Sequence, residues 1–262
     1  MRPHGTVYLM YHELALSGRA LCQDDPGYAR YVVGESDFRR HLAALKADGL
    51  EGLGVGRALD TDGPAAGRVV VTFDDGCETD LLSAAPLLSE FGFGATFYVV
   101  AGFVGRCGYL APGQVRELAE QGFEVASHSL THRLLRGLPD REVRRELTES
   151  KDQLEQWAGR RVEHFSCPGG RWDARVAAAA REAGYRSVAT SRVGVNTPGA
   201  DPLRLARVAV RRGAGAHEVV RAARAEGLLA RRARAAALDF AKGLLGDAIY
   251  QKLHAGLGAR SK

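Results

Sequence analysis

Val69-Val70-Val71-Thr72-Phe73-Asp74-Asp75-Gly76 is the stretch on which the fold turns. A run of β-branched and aromatic residues reads as a buried strand. It ends abruptly in two carboxylates and a glycine. A bare Asp-Asp-Gly is more often a solvated turn in which aspartate caps a helix. In extended chain, neighbouring side chains point to opposite faces. A bulge or turn at Gly76 can re-aim both carboxylates toward one cavity, where one binds a metal and its neighbour stays free as a base.

Outward from that strand, apolar runs alternate with helical periodicity. Strands are expected at 6–11, 95–100, 124–127, 162–166 and 187–190, with a further one over 207–210. Helices are expected over 37–48 with Ser36 as N-cap, 78–91, 112–121, 141–158 with Asp140 as cap, and 173–183. Strand–helix alternation over this length implies parallel strands with helical crossovers, in a barrel or an open doubly wound sheet. The segment 14–33 reads as a long irregular loop, a kind that is often functional.

With 262 residues, 45% hydrophobic and 26% charged, the chain fits one large α/β domain and excludes disordered and fibrous classes. Cys22, Cys77, Cys107 and Cys167 are scattered without a CxxC spacing, so neither a thiolate zinc site nor a disulfide framework is expected. The net charge of +5 is uneven: from Arg221 onward nine basic residues face three acids, leaving the rest at −1. The apolar run at the N-terminus is too short for a signal peptide, and nothing approaches a membrane span, so a cytoplasmic location is expected. With little aromatic interleaving in the basic tail, no nucleic-acid role is expected.

Two further strand ends carry polar residues. His128-Ser129-Leu130-Thr131-His132 follows the strand at 124–127. Histidines four apart can meet on one face of a helical turn and chelate a divalent ion, although two unrelated surface histidines have the same spacing. Two histidines and an aspartate form a facial set suited to zinc or another first-row metal, with positions left open. Phe165-Ser166-Cys167-Pro168-Gly169-Gly170-Arg171-Trp172 ends a strand in a tight turn. There glycine admits close backbone approach, and an N–H can donate to an oxyanion. Trp172 offers a sugar-stacking wall; packing is its commoner role.

Together these segments resemble the polysaccharide deacetylase (NodB-homology, carbohydrate esterase 4) family in order and spacing over about 69–183. Thr-Phe-Asp74-Asp75-Gly matches its first motif, His128-Ser-Leu-Thr-His132 its second, and Cys167-Pro168-Gly169-Gly170 its third. The resemblance implies a distorted, incomplete (β/α) barrel with Asp75, His128 and His132 as metal ligands and Asp74 as catalytic base. It implies one divalent metal ion, zinc first, with cobalt, nickel or manganese as alternatives. Ser166 stands where the family often has an arginine two residues before the proline, so that arginine is lost or supplied elsewhere. No Leu-x-His motif follows near the C-terminus; His217 sits at an expected helix start. Leu9-Met10-Tyr11-His12 looks like that motif moved to the front, as in the permuted branch resembling poly-N-acetylglucosamine deacetylases. This makes His12 the candidate general acid; a structural histidine at a strand end is the alternative.

The implied activity is removal of an N-acetyl group from an amino sugar in a glycan, glycolipid or glycan precursor. The alternatives are a deformylase or other linear amidohydrolase on the same fold, or a catalytically decayed sugar-binding protein. The expected domains are a catalytic unit over 1–215 and a basic helical C-terminal extension over 216–262. Leu238, Leu245, Ile249, Leu253 and Leu257 form an i, i+4 ladder beside basic residues. Such a helix packs on the barrel or lies on the anionic inner face of a membrane.

Overall fold

The computed structural model describes residues 5–61, 67–228 and 232–233. The chain runs through β1 (Val7–Tyr11), β2 (Leu14–Ala15), α1 (Pro26–Ala29), β3 (Val33–Gly34), α2 (Glu35–Ala47), β4 (Glu51–Leu53), α3 (Val55–Asp60) and β5 (Arg68–Asp75). There follow α4 (Ala85–Phe91), β6 (Thr96–Val99), α5 (Pro112–Glu120), β7 (Glu124–Ser127), α6 (Asp140–Ala158), β8 (His164–Ser166), α7 (Ala174–Glu182), β9 (Ser187–Ala189), β10 (Val208–Ala209) and α8 (Ala216–Ala223).

The Val-rich stretch is the middle of the sheet. One edge of β5 pairs in parallel with β1; the other pairs with β4 and then β6. Parallel pairing continues through β7 and β8 to β9, and from β1 to β10. Leu205, just before β10, bridges Ala189 of β9, so the ends of the curled sheet approach each other. The architecture is the distorted, incomplete (β/α) barrel that the motifs implied.

Period two divides the strands into two faces. Tyr8, Val70, Tyr98, Ala126, Ala189 and Leu205 pack together inside the curl. Val69, Val71, Phe73, Phe97, Phe165 and Val188 face the helices, against Leu45, Leu88, Leu118, Leu147 and Leu154. Phe73 stacks between Tyr11 and Phe97, with ring centroids 5.3 and 5.2 Å away. The inward face of β5 is Val70, Thr72, Asp74, and that of β1 is Tyr8, Met10, then His12. Their register pairs Met10 with Thr72.

Several element ends differ from those expected. The α2 helix begins at Glu35 with Gly34 as N-cap, not Ser36, and α6 is capped by Pro139, not Asp140. The helix expected over 78–91 starts as a π-helical turn, Asp80–Ala84, before α4. The expected loop 14–33 contains β2 and α1 and reaches β3, with β2 pairing β3. The short β4 and α3 carried no periodicity long enough to read. Among the described residues, no helix is long and apolar enough to cross a membrane.

Beyond residue 215, α8 places Val219, Ala222 and Ala223 in the same core as the sheet. Arg224 then pairs with Asp48 at the end of α2. The Leu238–Leu257 ladder lies outside the described residues.

Candidate active site

Backbone strain marks the site. Among the described residues, four non-glycine residues have left-handed φ, and three of them are Asp75 (φ 83°), Ser129 (φ 70°) and His132 (φ 61°). Such strain persists where the surroundings enforce it, and it clusters at functional sites. At the end of β5, Asp75 and Gly76 (φ 77°) are left-handed in succession, which turns Asp75 away from strict alternation. Gly76 has no room for a side chain: a Cβ would lie 2.7 Å from Val99 Cγ1.

His128 follows β7, and His132 closes the loop behind it. The two rings meet at 5.0 Å between centroids. They meet across an irregular loop and not on the helical turn that the spacing suggested, because Ser129 and His132 have left-handed φ. Glu146, buried on α6, holds this loop by accepting from the Leu130 and Thr131 N–H groups (3.0 and 2.8 Å) and from the Thr131 hydroxyl.

Asp75 Oδ1 lies 3.6 Å from His128 Nε2 and 3.4 Å from His132 Nε2. One donor atom from each of the three residues falls within 4.8 Å of the other two. Asp75 Oδ1 is buried without a hydrogen-bond partner. His128 Nδ1 is 2.8 Å from the Ser166 carbonyl, so that nitrogen carries the proton and donates, which leaves the Nε2 lone pair for a cation. Burial lowers the pKa of His128 to about 3, with neighbouring His132 adding to the effect against Asp74. Burial also lowers that of His132. Burial raises the Asp75 carboxyl to about 6; His12 opposes the rise and Asp74 adds to it. An unpartnered carboxylate oxygen beside two neutral imidazoles is a donor set that fits a divalent metal.

Asp74 is treated differently. Burial pushes its pKa up, but the Arg207 guanidinium outweighs burial and His128 helps, so the carboxyl sits well below the usual range. Arg207 grips both oxygens, Nη1 to Oδ1 at 2.7 Å and Nη2 to Oδ2 at 2.8 Å. The same Nη2 donates to Ser166 Oγ at 2.8 Å, and Nε donates to the Thr190 carbonyl at 3.0 Å. The arginine missing at position 166 is thus supplied from the residue before β10, with its guanidinium against the serine that replaced it.

His12 continues β1 past Tyr11, on the inward face that also carries Asp74. Its Nδ1 is buried without a hydrogen-bond partner, and its ring packs on Tyr31 at 4.9 Å. The third strand end falls out differently. Pro168–Gly170 forms a 3-10 turn in which the Gly170 N–H donates to the Cys167 carbonyl at 2.8 Å, so that donor is engaged within the turn. Pro168 is buried, and Gly169 (φ 60°) faces Leu134. Trp172 donates to the Leu203 carbonyl at 2.7 Å, and Arg204 lies over its ring at 4.6 Å. None of these described contacts joins Trp172 to the two aspartates or two histidines. His217 is exposed in the first turn of α8.

Sequence reasoning missed Arg207 and Glu146. Each left a faint signal: Arg207 is a lone charge in the apolar run Leu205–Val210, and Glu146 sits on the stripe of α6 that buries Val143 and Leu147.

A sequence profile of the family described as "Polysaccharide deacetylase" matches residues 62–188. The Bacillus subtilis protein YxkH is 28% identical over 197 residues, covering 74% of this chain and 67% of its own length. The peptidoglycan-N-acetylglucosamine deacetylase of Bacillus cereus is 29% identical over 121 residues, 46% of this chain and 54% of that protein. The structure of the Streptococcus pyogenes deacetylase PplD superposes with a TM-score of 0.74 at 23% identity, covering 84% of this chain and 99% of that one, which is a likeness of fold.

Proposed function

We propose, from the match of residues 62–188 to the polysaccharide deacetylase profile and the likeness to YxkH, that the chain is a metal-dependent hydrolase that removes an N-acetyl group from an amino sugar. One observation carries this reading: Asp75, His128 and His132 bring donor atoms within 4.8 Å of one another, beside a second carboxylate that Arg207 keeps ionised. A decayed sugar-binding protein has no need for either feature. The Bacillus cereus relative, named for action on N-acetylglucosamine, supports an amino-sugar substrate.

In this reading Asp75, His128 and His132 hold a divalent cation, zinc by the nature of the donors. When bound, the cation supplies Lewis-acid charge that acidifies water and favours negative charge on the amide oxygen. The Ser166 carbonyl fixes the ring of His128 through Nδ1, so Nε2 needs no reorientation to serve as a ligand. Asp74 accepts the proton of the attacking water. Arg207 sets its orientation, holding both carboxylate oxygens in one plane. His12, with an unpartnered Nδ1 on the same face, returns a proton to the leaving nitrogen. Water oxygen joins the carbonyl carbon, the C–N bond breaks, and acetate and a free amino sugar result.

The test is acetate release from N-acetylated glucosamine oligomers by chelator-stripped protein, before and after zinc. Asp74→Asn should bind zinc as wild type does yet turn over about 10²–10⁴-fold more slowly. A near wild-type rate in that variant would remove the assignment of the base, and formate release from an N-formyl substrate in place of acetate release would make the enzyme a deformylase.

A further inference from the structure

The scattered cysteines are not scattered in space. Glu13 follows His12 past the end of β1, Cys22 lies in the segment between β2 and α1, and Cys77 follows the Gly76 turn. One donor atom from each lies within 4.8 Å of the other two. Glu13 and Cys77 are buried, and Cys22 is half-buried. The cluster is organised. The Cys22 N–H donates to both oxygens of Glu13 (3.2 and 3.0 Å), and the Tyr28 hydroxyl lies 2.9 Å from Glu13 Oε2 and 3.1 Å from Cys77 Sγ.

A second observation points to a ligand. Asp80, 1% exposed on the π-helical turn, has no hydrogen-bond partner on either carboxylate oxygen. Burial first, then the neighbouring Cys22, Asp75 and Glu13, push its pKa well above the ordinary value. Every charge named there is acidic. A buried carboxylate in such company stays protonated or is neutralised by a cation, because isolated buried charge is costly and coordination to a metal is one of the ways it is satisfied.

We propose that Glu13, Cys22 and Cys77 form a second metal site, separate from Asp75, His128 and His132, that takes a thiophilic divalent cation of the zinc class. The donor set of two sulfurs and a carboxylate excludes magnesium and calcium, which take oxygen ligands. The two sites share no ligand, although Asp75 and Cys77 are two residues apart. The left-handed pair Asp75 and Gly76 breaks the alternation that would have put their side chains on one face.

The test uses reduced, metal-free, full-length protein titrated with cobalt(II). Sulfur-to-cobalt charge-transfer absorption in the near ultraviolet needs a thiolate, and the Asp75, His128 and His132 set has none. The band should be complete by two equivalents per chain in wild type, persist in His128→Ala and disappear in Cys22→Ser. Zinc should also slow alkylation of Cys22 by iodoacetamide in the wild-type chain, read by peptide mass, which needs no variant to fold. Absence of the band in wild type, its survival in Cys22→Ser, its loss in His128→Ala, or equal alkylation with and without zinc would each overturn the second site.

Discussion

At Asp74 two forces of opposite sign meet: burial drives the carboxyl toward its neutral form, and the Arg207 guanidinium drives it toward the charged one. The arginine wins because both of its Nη atoms reach the carboxylate within 2.8 Å in a site almost without solvent. Deleting one partner of such a pair leaves an uncompensated buried charge, so Arg207→Met should cost about 3–5 kcal/mol and is a poor probe. Arg207→Lys keeps the charge and loses the fork. It should fold, lower kcat about 10–100-fold and leave KM near wild type; an equal rise in KM would assign Arg207 to substrate binding. His128 contributes to the acid sensitivity of the metal-free fold. Its pKa is about 3 in the folded chain, against an ordinary 6.5. An unfolded chain therefore takes up this proton first as pH falls. The stability this residue contributes is complete above 6.5 and is lost as pH falls toward 3. Urea midpoints of stripped protein across that window should fall more steeply for wild type than for His128→Asn.

At the scale of elements, β5 makes the site by where it stops. The strand buries Val69 to Phe73 on both faces and ends in a left-handed Asp75-Gly76 pair. Gly76→Ala would retain a positive φ unfavourable to alanine and press a methyl against Val99 of β6. A loss of about 1–3 kcal/mol in thermal unfolding is expected, with weaker zinc binding by calorimetry, since Asp75 moves with the turn. The Asp-Asp-Gly motif was legible as a strand end because hydrophobicity stops there in the one-dimensional pattern. The geometry of His128 and His132 was not. Their spacing suits a helix, and the departure comes from Glu146, an acid on another element that ties down the Leu130 and Thr131 N–H groups.

At the scale of the molecule, α8 packs on the core that the sheet and α2 share. His41 of α2 reaches the Ala214 carbonyl at 2.8 Å, and Val219 lies in the shared core. Val219→Asp should therefore lower the stability of the whole domain by about 3 kcal/mol or more in one cooperative transition. A separate early transition that left activity intact would support a boundary at 215. The two donor clusters also belong to this scale, since one gathers side chains from two separate parts of the chain and the other from three.

By itself the sequence determined the α/β class, the order of the main strands and helices, and the choice of Asp74, Asp75, His128 and His132 as candidates for one site. These follow from local hydrophobic period and from residue types clustered within a few positions. Tertiary structure alone decided that Arg207 meets Asp74 across 133 residues, and that Cys22 and Cys77 lie together with Glu13. The physical reason is curvature. A parallel sheet that curls until Leu205 bridges Ala189 brings distant strand ends together, and no spacing along the chain records that approach.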